Sequence, residues 1–417
     1  MRHRRFTLYI LTAMCLLAGL FTGRAIFFNI AFLMALVYVF ALARALLAVR
    51  GLGISRNTRS RRSQVGRTFS EVFTVKNLSL FPRLWLEVRD HSTLPDHRAS
   101  HIVPALGRNQ QYQWRVDTLC TVRGEFLLGP ITINSGDPFG LFSTPRRVNA
   151  SERVIIYPRL IPITQFIVPM GNLSGGEAQR FMTHHVTTNA AGVREYVPGD
   201  SINRIHWKST ARRNKLIVKE FELDPMVDMW MLVDFSIKSL AEAASVRRAG
   251  RTGYVLPGHS GIPPSTEEYG VVVAASLAQY FIQLERALGF ISYLPHREVY
   301  TPERGHRQFT RVMETLAVAR SNSPMSLHEI LTLESGNFSR GATLVIITSS
   351  VNLDWVIEAE LLARRGIRPM CVFIDPAGFG GASGGDEVRS SLHNARIPTI
   401  HVQQGDDLTN VLAQKPL

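Results

Sequence analysis

Two apolar runs open the chain, 6–22 and 25–43, separated only by Gly23-Arg24. Each approaches the roughly 20 residues a helix needs to cross a bilayer, so the pattern predicts a two-helix transmembrane hairpin within 1–50. A cleaved signal peptide also pairs a basic start with an apolar run, as Met1-Arg-His-Arg-Arg5 and 6–22 do, but the second run argues against it. After a polar segment at 51–64, the pattern turns to short β-like runs: Phe69, Val72, Phe73 and Val75; Trp85, Leu86 and Val88; Tyr112, Trp114 and Val116; then 126–128, 131–133 and 154–157. Gly, Pro, Asn and Asp break these runs, and the spacing predicts an immunoglobulin-like β-sandwich over 65–160. A connector is expected over 161–225. From 226 to 417 the period alternates between strands (226–235, 290–294, 342–348, 369–375, 397–402) and helices (266–288, 307–319, 353–365). That alternation predicts a multidomain chain ending in an α/β parallel sheet with helices on both faces. Ligands of such sheets sit at the carboxyl ends of the strands, where Asp234, Ser236, Thr348, Ser349 and Asp375 are expected.

Charge fixes the orientation. The formal charge is +14, and residues 1–70 hold eleven Arg and no Asp or Glu, leaving only +3 for the other 347 residues. Arg2, Arg4 and Arg5 on one flank, and Arg44, Arg50, Arg56, Arg59, Arg61 and Arg62 on the other, outnumber the single Arg24 between the runs. Both flanks are therefore expected in the cytoplasm, together with the domains that follow, and the chain is expected in the cell membrane. The basic segment at 51–64 reads as a juxtamembrane linker that enforces topology or lies on anionic lipid headgroups. Cys15, Cys120 and Cys371 are too dispersed for a disulfide framework and read as packing residues.

Residues 192–222 concentrate seven basic side chains (Arg194, Arg204, Lys208, Arg212, Arg213, Lys215, Lys219), a Pro198-Gly199 turn and Trp207 into 31 residues. Asp200 is placed to cap a helix over 201–212, and the alternation at 216–223 predicts a strand. The run Arg194-Glu-Tyr-Val-Pro-Gly-Asp-Ser-Ile-Asn-Arg-Ile-His-Trp-Lys-Ser-Thr-Ala-Arg-Arg-Asn-Lys-Leu-Ile-Val-Lys-Glu220 resembles the signature of the bacterial domain-of-unknown-function 58 family. Arg123-Gly-Glu-Phe-Leu-Leu-Gly-Pro130, Gly136-Asp-Pro-Phe-Gly-Leu-Phe142 and Val154-Ile-Ile-Tyr-Pro-Arg159 resemble its upstream region. The resemblance implies a membrane-anchored protein with a von Willebrand factor A-like domain, associated with MoxR-type AAA+ ATPases, and implies no known reaction. A partner-binding face is expected from Arg194, Asp200, Arg204, Trp207, Lys208, Arg212, Arg213 and Lys215. The competing readings are a structural clamp, in which Arg194, Arg204 and Arg212 pair with carboxylates, and a nucleic-acid surface, which Glu220, Glu222 and Asp224 disfavour.

Candidate chemistry is sparse. Asp234-x-Ser236 resembles the first two positions of the Asp-x-Ser-x-Ser metal site of von Willebrand A domains, but Lys238 stands third. Thr348-Ser349-Ser350 stands where such domains carry Thr-Asp-Gly, so a hard oxygen ligand is missing. Asp234, Ser236 and Thr348 are thus a remnant: no cofactor is expected, Mg²⁺ is the single candidate, and Lys238 is expected to approach Asp234. Asp200, His206 and Ser209 suggest a hydrolase triad but crowd into one short element, and neither Gly-x-Ser-x-Gly nor His-Glu-x-x-His occurs, so no enzyme is expected. Leu173-Ser-Gly-Gly-Glu-Ala-Gln-Arg180 resembles the ABC ATPase signature loop, yet no Gly-Lys dipeptide is present to cradle phosphate. His91, His97 and His101 read as solvated loop histidines. The expected function is a non-enzymatic membrane-anchored adaptor docking a MoxR-type AAA+ ATPase, its client or another protein, with membrane lipid as a second partner and no nucleic acid. The alternative is an anion- or nucleic-acid-binding membrane-associated module.

Overall fold

Leu, Phe and Ala dominate two N-terminal helices, α1 (Arg2–Thr22) and α2 (Ala25–Ala48), in the computed structural model, which describes residues 2–167, 190–197, 205–221, 228–249 and 261–416. The 24 residues of α2 have the length and composition to cross a bilayer; the apolar part of α1, Phe6–Thr22, is shorter. The chain divides into two compact units: 1–160 with 245–256 and 313–319, and 161–244 with 257–312 and 320–417.

In the first unit α2 runs almost directly into a strand. Gly51, at φ +68°, makes the turn, and β1 (Leu52–Thr58) begins at the next residue. The segment 51–64 is therefore not the linker its polar composition suggests, since it contains β1 and β2 (Arg62–Gln64). β3 (Thr68–Asn77), β4 (Leu86–Asp90), β5 (His101–Val103), β6 (Gln111–Leu119), β7 (Gly124–Leu128), β8 (Ile131–Gly136), β9 (Ser143–Val148) and β10 (Glu152–Tyr157) follow. They form three sheets, in the orders β1-β3-β6, β5-β4-β8-β9 and β2-β10-β7. Phe73 and Val75 of the first sheet share one core with Leu86, Val88, Ile131 and Ile133 of the second.

A charge sits among these apolar residues. β3 alternates strictly, so Phe69, Glu71, Phe73, Val75 and Asn77 all point inward, and Glu71 is fully buried. The Arg56 guanidinium lies 3.3 Å from Glu71 Oε1 and also pairs with Asp90, while His97 Nε2 lies 3.1 Å from Glu71 Oε2. Thr58 donates to Glu71 Oε1 at 3.0 Å, and His97 Nδ1 meets Thr118 Oγ1 at 2.8 Å. His97 is thus not the solvated loop residue its polar neighbours suggest, because its side chain completes a buried ionic cluster. His91 is exposed and His101 stacks on Tyr112 and Trp114.

From residue 190 the chain forms β11 (Ala190–Glu195), α3 (Trp207–Arg213) and β12 (Ile217–Phe221), then β13 (Met229–Val233), α4 (Ala244–Ala249), α5 (Thr266–Gln283), β14 (Leu288–Tyr293), β15 (Arg297–Glu303), α6 (His306–Val318), α7 (Leu327–Glu334), β16 (Thr343–Thr348), α8 (Asp354–Arg364), β17 (Arg368–Ile374), α9 (Gly385–Asn394), β18 (Thr399–Val402) and α10 (Leu408–Leu412); all but α4 after its first residue and the part of α6 from Met313 on belong to the second unit. Six strands form a mixed sheet in the order β15-β14-β13-β16-β17-β18. All neighbours are parallel except β14 and β15. The central strands are buried on both faces. Leu232, Ile346 and Phe373 pack with α7, α8 and α9 residues on one side, while Gly270 of α5 faces Ile347 and Ile374 on the other, where an added Cβ would come within van der Waals contact of both. Gly289 lies against the Trp230 ring, where a Cβ would come within 2.5 Å of it. The expected parallel sheet with helices on both faces gains the antiparallel edge strand β15, whose charges and Pro302 hid it from the pattern.

Arg56→Met should lower the stability of the sandwich unit by about 3–5 kcal/mol, because two buried carboxylates lose their partner. A urea melt of the detergent-solubilised chain, with Trp114 fluorescence as the sandwich signal, measures this. A loss under about 1 kcal/mol would mean that water reaches the cluster.

Candidate functional site

Two groups of polar residues lie in the second unit. The first is built on β11, α3 and β12. β11 and β12 pair antiparallel, Val193 opposite Lys219 and Glu195 opposite Ile217. Ile205 bridges to Val218, and His206 N donates to Ile217 O at 2.7 Å, which seats the start of α3 on β12. The helix expected over 201–212 instead begins at Trp207, with His206 as its cap in place of Asp200: Nδ1 accepts the Ser209 N–H and lies 2.7 Å from Ser209 Oγ. The His–Ser contact is therefore a helix cap, a local role that needs no substrate. Asn214 closes the helix in the left-handed conformation, and Thr210 Oγ1 accepts from Ile217 N at 3.1 Å.

Burial sorts these residues into two classes. Ile205, Ile217 and Val218 are buried, whereas α3 buries none of its residues. Trp207 is 64% exposed, and Lys208, Arg212, Arg213 and Lys215 are exposed with it. Lys215 pairs with Glu195 at 3.2 Å, with both side chains in solvent. No ion pair of Arg212 falls among the described residues, and the carboxylates of Glu220, Glu222 and Asp224 lie outside them. Asp200, Arg204 and the 173–180 run lie outside the described residues, as does the side chain of Arg194.

The second group occupies the carboxyl ends of β13 and β16. Strand order reverses between these two strands, which is the switch point where doubly wound sheets leave a crevice. Asp234 is buried there; its Oδ1 accepts Ser236 N at 2.9 Å and its Oδ2 accepts Thr348 Oγ1 at 2.7 Å. Burial pushes its carboxyl above the usual range, against the hydrogen bonds from Thr348 and Ser236. Ser349 Oγ donates to Ser239 O at 2.7 Å. The turn after Ser236 carries Ser239 inward and Lys238 outward. Lys238 therefore does not approach Asp234, contrary to the charge argument, and its backbone N–H donates to Ser236 Oγ at 3.3 Å.

A cavity of about 10 Å³, room for one water, is lined by Asp234, Ser239, Thr266, Glu267, Ser321 and Thr348 among others. Ser239, Thr266, Glu267 and Ser321 escaped the sequence reading because they come from three separated segments. Thr266 and Glu267 open α5, whose first turn favours a carboxylate. Glu267 accepts from Ser321 N at 2.6 Å and lies 3.6 Å from Arg320. Among the described residues there is no cluster of three or more His, Cys, Asp or Glu able to hold a metal ion. Asp375, at the end of β17, accepts from Ala377 N and lies 3.5 Å from His401 Nε2, apart from this cavity lining.

Residues 192–251 match the family model "Protein of unknown function DUF58". The DUF58 match spans the exposed face of α3 together with Asp234 and Ser236, so both groups fall at least partly within it. The chain is also 22% identical over 370 residues to "Uncharacterized protein YeaD" of Bacillus subtilis (strain 168), covering 86% of this chain and 85% of that one. Among solved structures it is similar to the CARDB domain of the PF1109 protein from Pyrococcus furiosus, solved with di-metal ions, with 16% identity, 25% of this chain, 86% of that chain and a TM-score of 0.19. Proximal thread matrix protein 1 from the mussel byssus is similar at 11% identity, over 45% of this chain and 46% of that chain, with a TM-score of 0.30.

Asp234→Ala should cost about 1–3 kcal/mol by stranding Thr348 Oγ1 and Ser236 N. Asp234→Asn keeps an acceptor for Ser236 N, turns its amide NH2 into a donor toward Thr348 Oγ1, and removes the buried charge. Because the folded carboxyl titrates above its unfolded value, the cost of that charge is absent below the usual carboxylate range and grows as pH rises through the shifted one. Asp234→Asn should therefore match the parent in acid and equal or exceed it at neutral pH in thermal melts. A neutral-pH loss as large as that of Asp234→Ala would show that the ionised carboxylate itself is needed.

Proposed function

We propose that this protein is a non-enzymatic, membrane-anchored adaptor whose second unit is a von Willebrand A-like domain that docks a protein partner. The observation that carries this reading is the exposed Trp207 with Lys208, Arg212, Arg213 and Lys215 around it, held in place by the buried Ile205, Ile217 and Val218. A large aromatic left in water beside several cations is the composition of an interface anchor. The sheet order, with its switch point at Asp234 and Thr348 and its antiparallel edge, supports the A-like reading. Membrane anchoring by both α1 and α2, with the two units on the cytoplasmic side, rests on the apolar lengths and on the Arg asymmetry.

The partner proposed is a MoxR-type AAA+ ATPase or its client, on the resemblance of the 194–220 run. Asp234, Ser236 and Thr348 serve in this reading as a metal-free hydrogen-bonded pin between β13 and β16, because both Asp234 oxygens already accept internal donors. A metal-bridged contact of the adhesion type would need more hard oxygens than this site offers. The second reading, binding of nucleic acid or another anion, draws on the same exposed Trp207, which offers a stacking surface among cations.

Affinity capture of the full chain from detergent extract should recover a MoxR-type ATPase. Trp207→Ala combined with Arg212→Glu and Arg213→Glu should weaken that recovery at least about 30-fold, the loss expected for an interface anchor. Recovery should survive chelation of divalent cations. Nucleic acid recovered with no protein partner would favour the second reading, and loss on chelation would require a metal-bridged contact. Protease added outside intact cells should leave both units uncut, and their digestion would overturn the cytoplasmic placement.

A further inference from the structure

The end of the sandwich nearest α2 carries exposed apolar side chains that no described residue of the first unit covers. In the β3–β4 connection Leu78, Leu80, Phe81 and Leu84 are 60, 67, 54 and 45% exposed, and in the β8–β9 connection Phe139 is 50% exposed. Residues 77–82 carry no charge, and Asp137, the acid of the second loop, is buried with its oxygens taken by the N–H groups of Phe139 and Phe142. Five large apolar side chains at one end exceed what a scattering of single exposed residues would place there.

Their position relative to α2 says what covers them. The first loop wraps the end of the helix: Leu78 N donates to Gly51 O, Arg44 Nη2 reaches Pro82 O, and the buried Arg83 donates to Leu47 O and Arg50 O. The second loop reaches further along it, where Leu141 and Phe142 pack with Ala41, Ala45 and Leu8, and the Phe142 ring stands edge-on to Tyr38 at 5.0 Å. Tyr38 lies ten residues before the last residue of α2, or about 15 Å along the axis. A helix of α2's length spans about 36 Å against a hydrocarbon core of about 30 Å, so only about 6 Å of it can stand clear of the core. The second loop therefore meets the helix below the membrane boundary, not above it.

We propose that the connections 78–84 and 137–142 seat in the headgroup and upper acyl region of the leaflet from which α2 emerges, so that the sandwich is itself a membrane-inserted module. This rests on the anchoring reading for α2. The occupant is an anionic lipid surface: Arg44, Arg50 and Arg146 ring the junction, Arg146 donating to Val49 O and Leu52 O, and residues 1–70 hold no acid. The depth expected for them is about 5–10 Å, that at which the apolar faces of interfacial amphipathic helices lie in the headgroup and acyl boundary.

Site-directed spin labelling of the full chain, reconstituted in vesicles of mixed neutral and anionic phospholipid, tests this. Single cysteines replace Leu80, Leu36 and Leu119 in a Cys15→Ala background; Cys120 and Cys371 are buried, Leu36 lies on α2 and Leu119 is exposed on β6. Collision with oxygen relative to a water-soluble nickel chelate should be several-fold higher at 80 than at 119 and should approach the value at 36. A lipid-like 36 with an aqueous 80 would overturn the insertion and leave the anchoring intact. An aqueous 36 would overturn the anchoring reading, and the insertion with it.

Discussion

The junction between α2 and β1 constrains everything that follows in the first unit. An α-helix ends with carbonyls that have no partner within the helix, and a buried end requires donors from elsewhere. Arg83 supplies them, lying against the helix end where a cation also opposes the partial negative charge of the macrodipole. Burial and the nearby Arg44 lower its pKa from the ordinary arginine value. With Arg146 bonded to Val49 and Leu52, the turn at Gly51 is braced from both sides. A flexible tether would let the sandwich swing relative to α2, whereas this junction fixes its register to the helix.

The Arg56 cluster extends the same logic one strand further. A charge on the inward face of β3 is tolerated because Arg56, Asp90, His97 and Thr58 converge on Glu71 from three other segments. Such a cluster adds little net stability over an apolar core, but it penalises any slip of β1 on β3, because a one-residue shift would bury one charge without the others. Strand register, and with it the placing of the loops beside α2, depends on it.

In the second unit structural and functional polar residues separate by burial. Asp234, Thr348, Ser239 and Ser349 use their hydrogen-bonding capacity on one another at the sheet's switch point, where a ligand site would be sought first. Trp207 and the cations of α3 are exposed, and Lys215 just after the helix pairs with Glu195 in solvent. The exposed aromatic ring among cations on α3 is the feature on which the proposed docking role rests.

Periodicity in the sequence determined the apolar helices, the β-rich region after them and the strand–helix alternation after residue 226, because each is a local pattern with its own repeat. It also placed Asp234 and Thr348 at strand ends, since a hydrophobic run stops where the chain leaves the core. Tertiary structure decided the rest. The polar segment 51–64 became strands because Arg56 finds carboxylates 15 and 34 residues away, a complementarity no local window contains. His206 replaced Asp200 as the cap of α3 because Ile205 is held in a bridge to Val218. Lys238 faces solvent and Ser239 faces the Asp234 cavity because a single turn chooses which side chain points inward, and whether Leu80 and Phe81 are core or surface depends on what their loop packs against. Spacing along a chain reports repeats of a few residues, whereas these outcomes are set by contacts between distant segments.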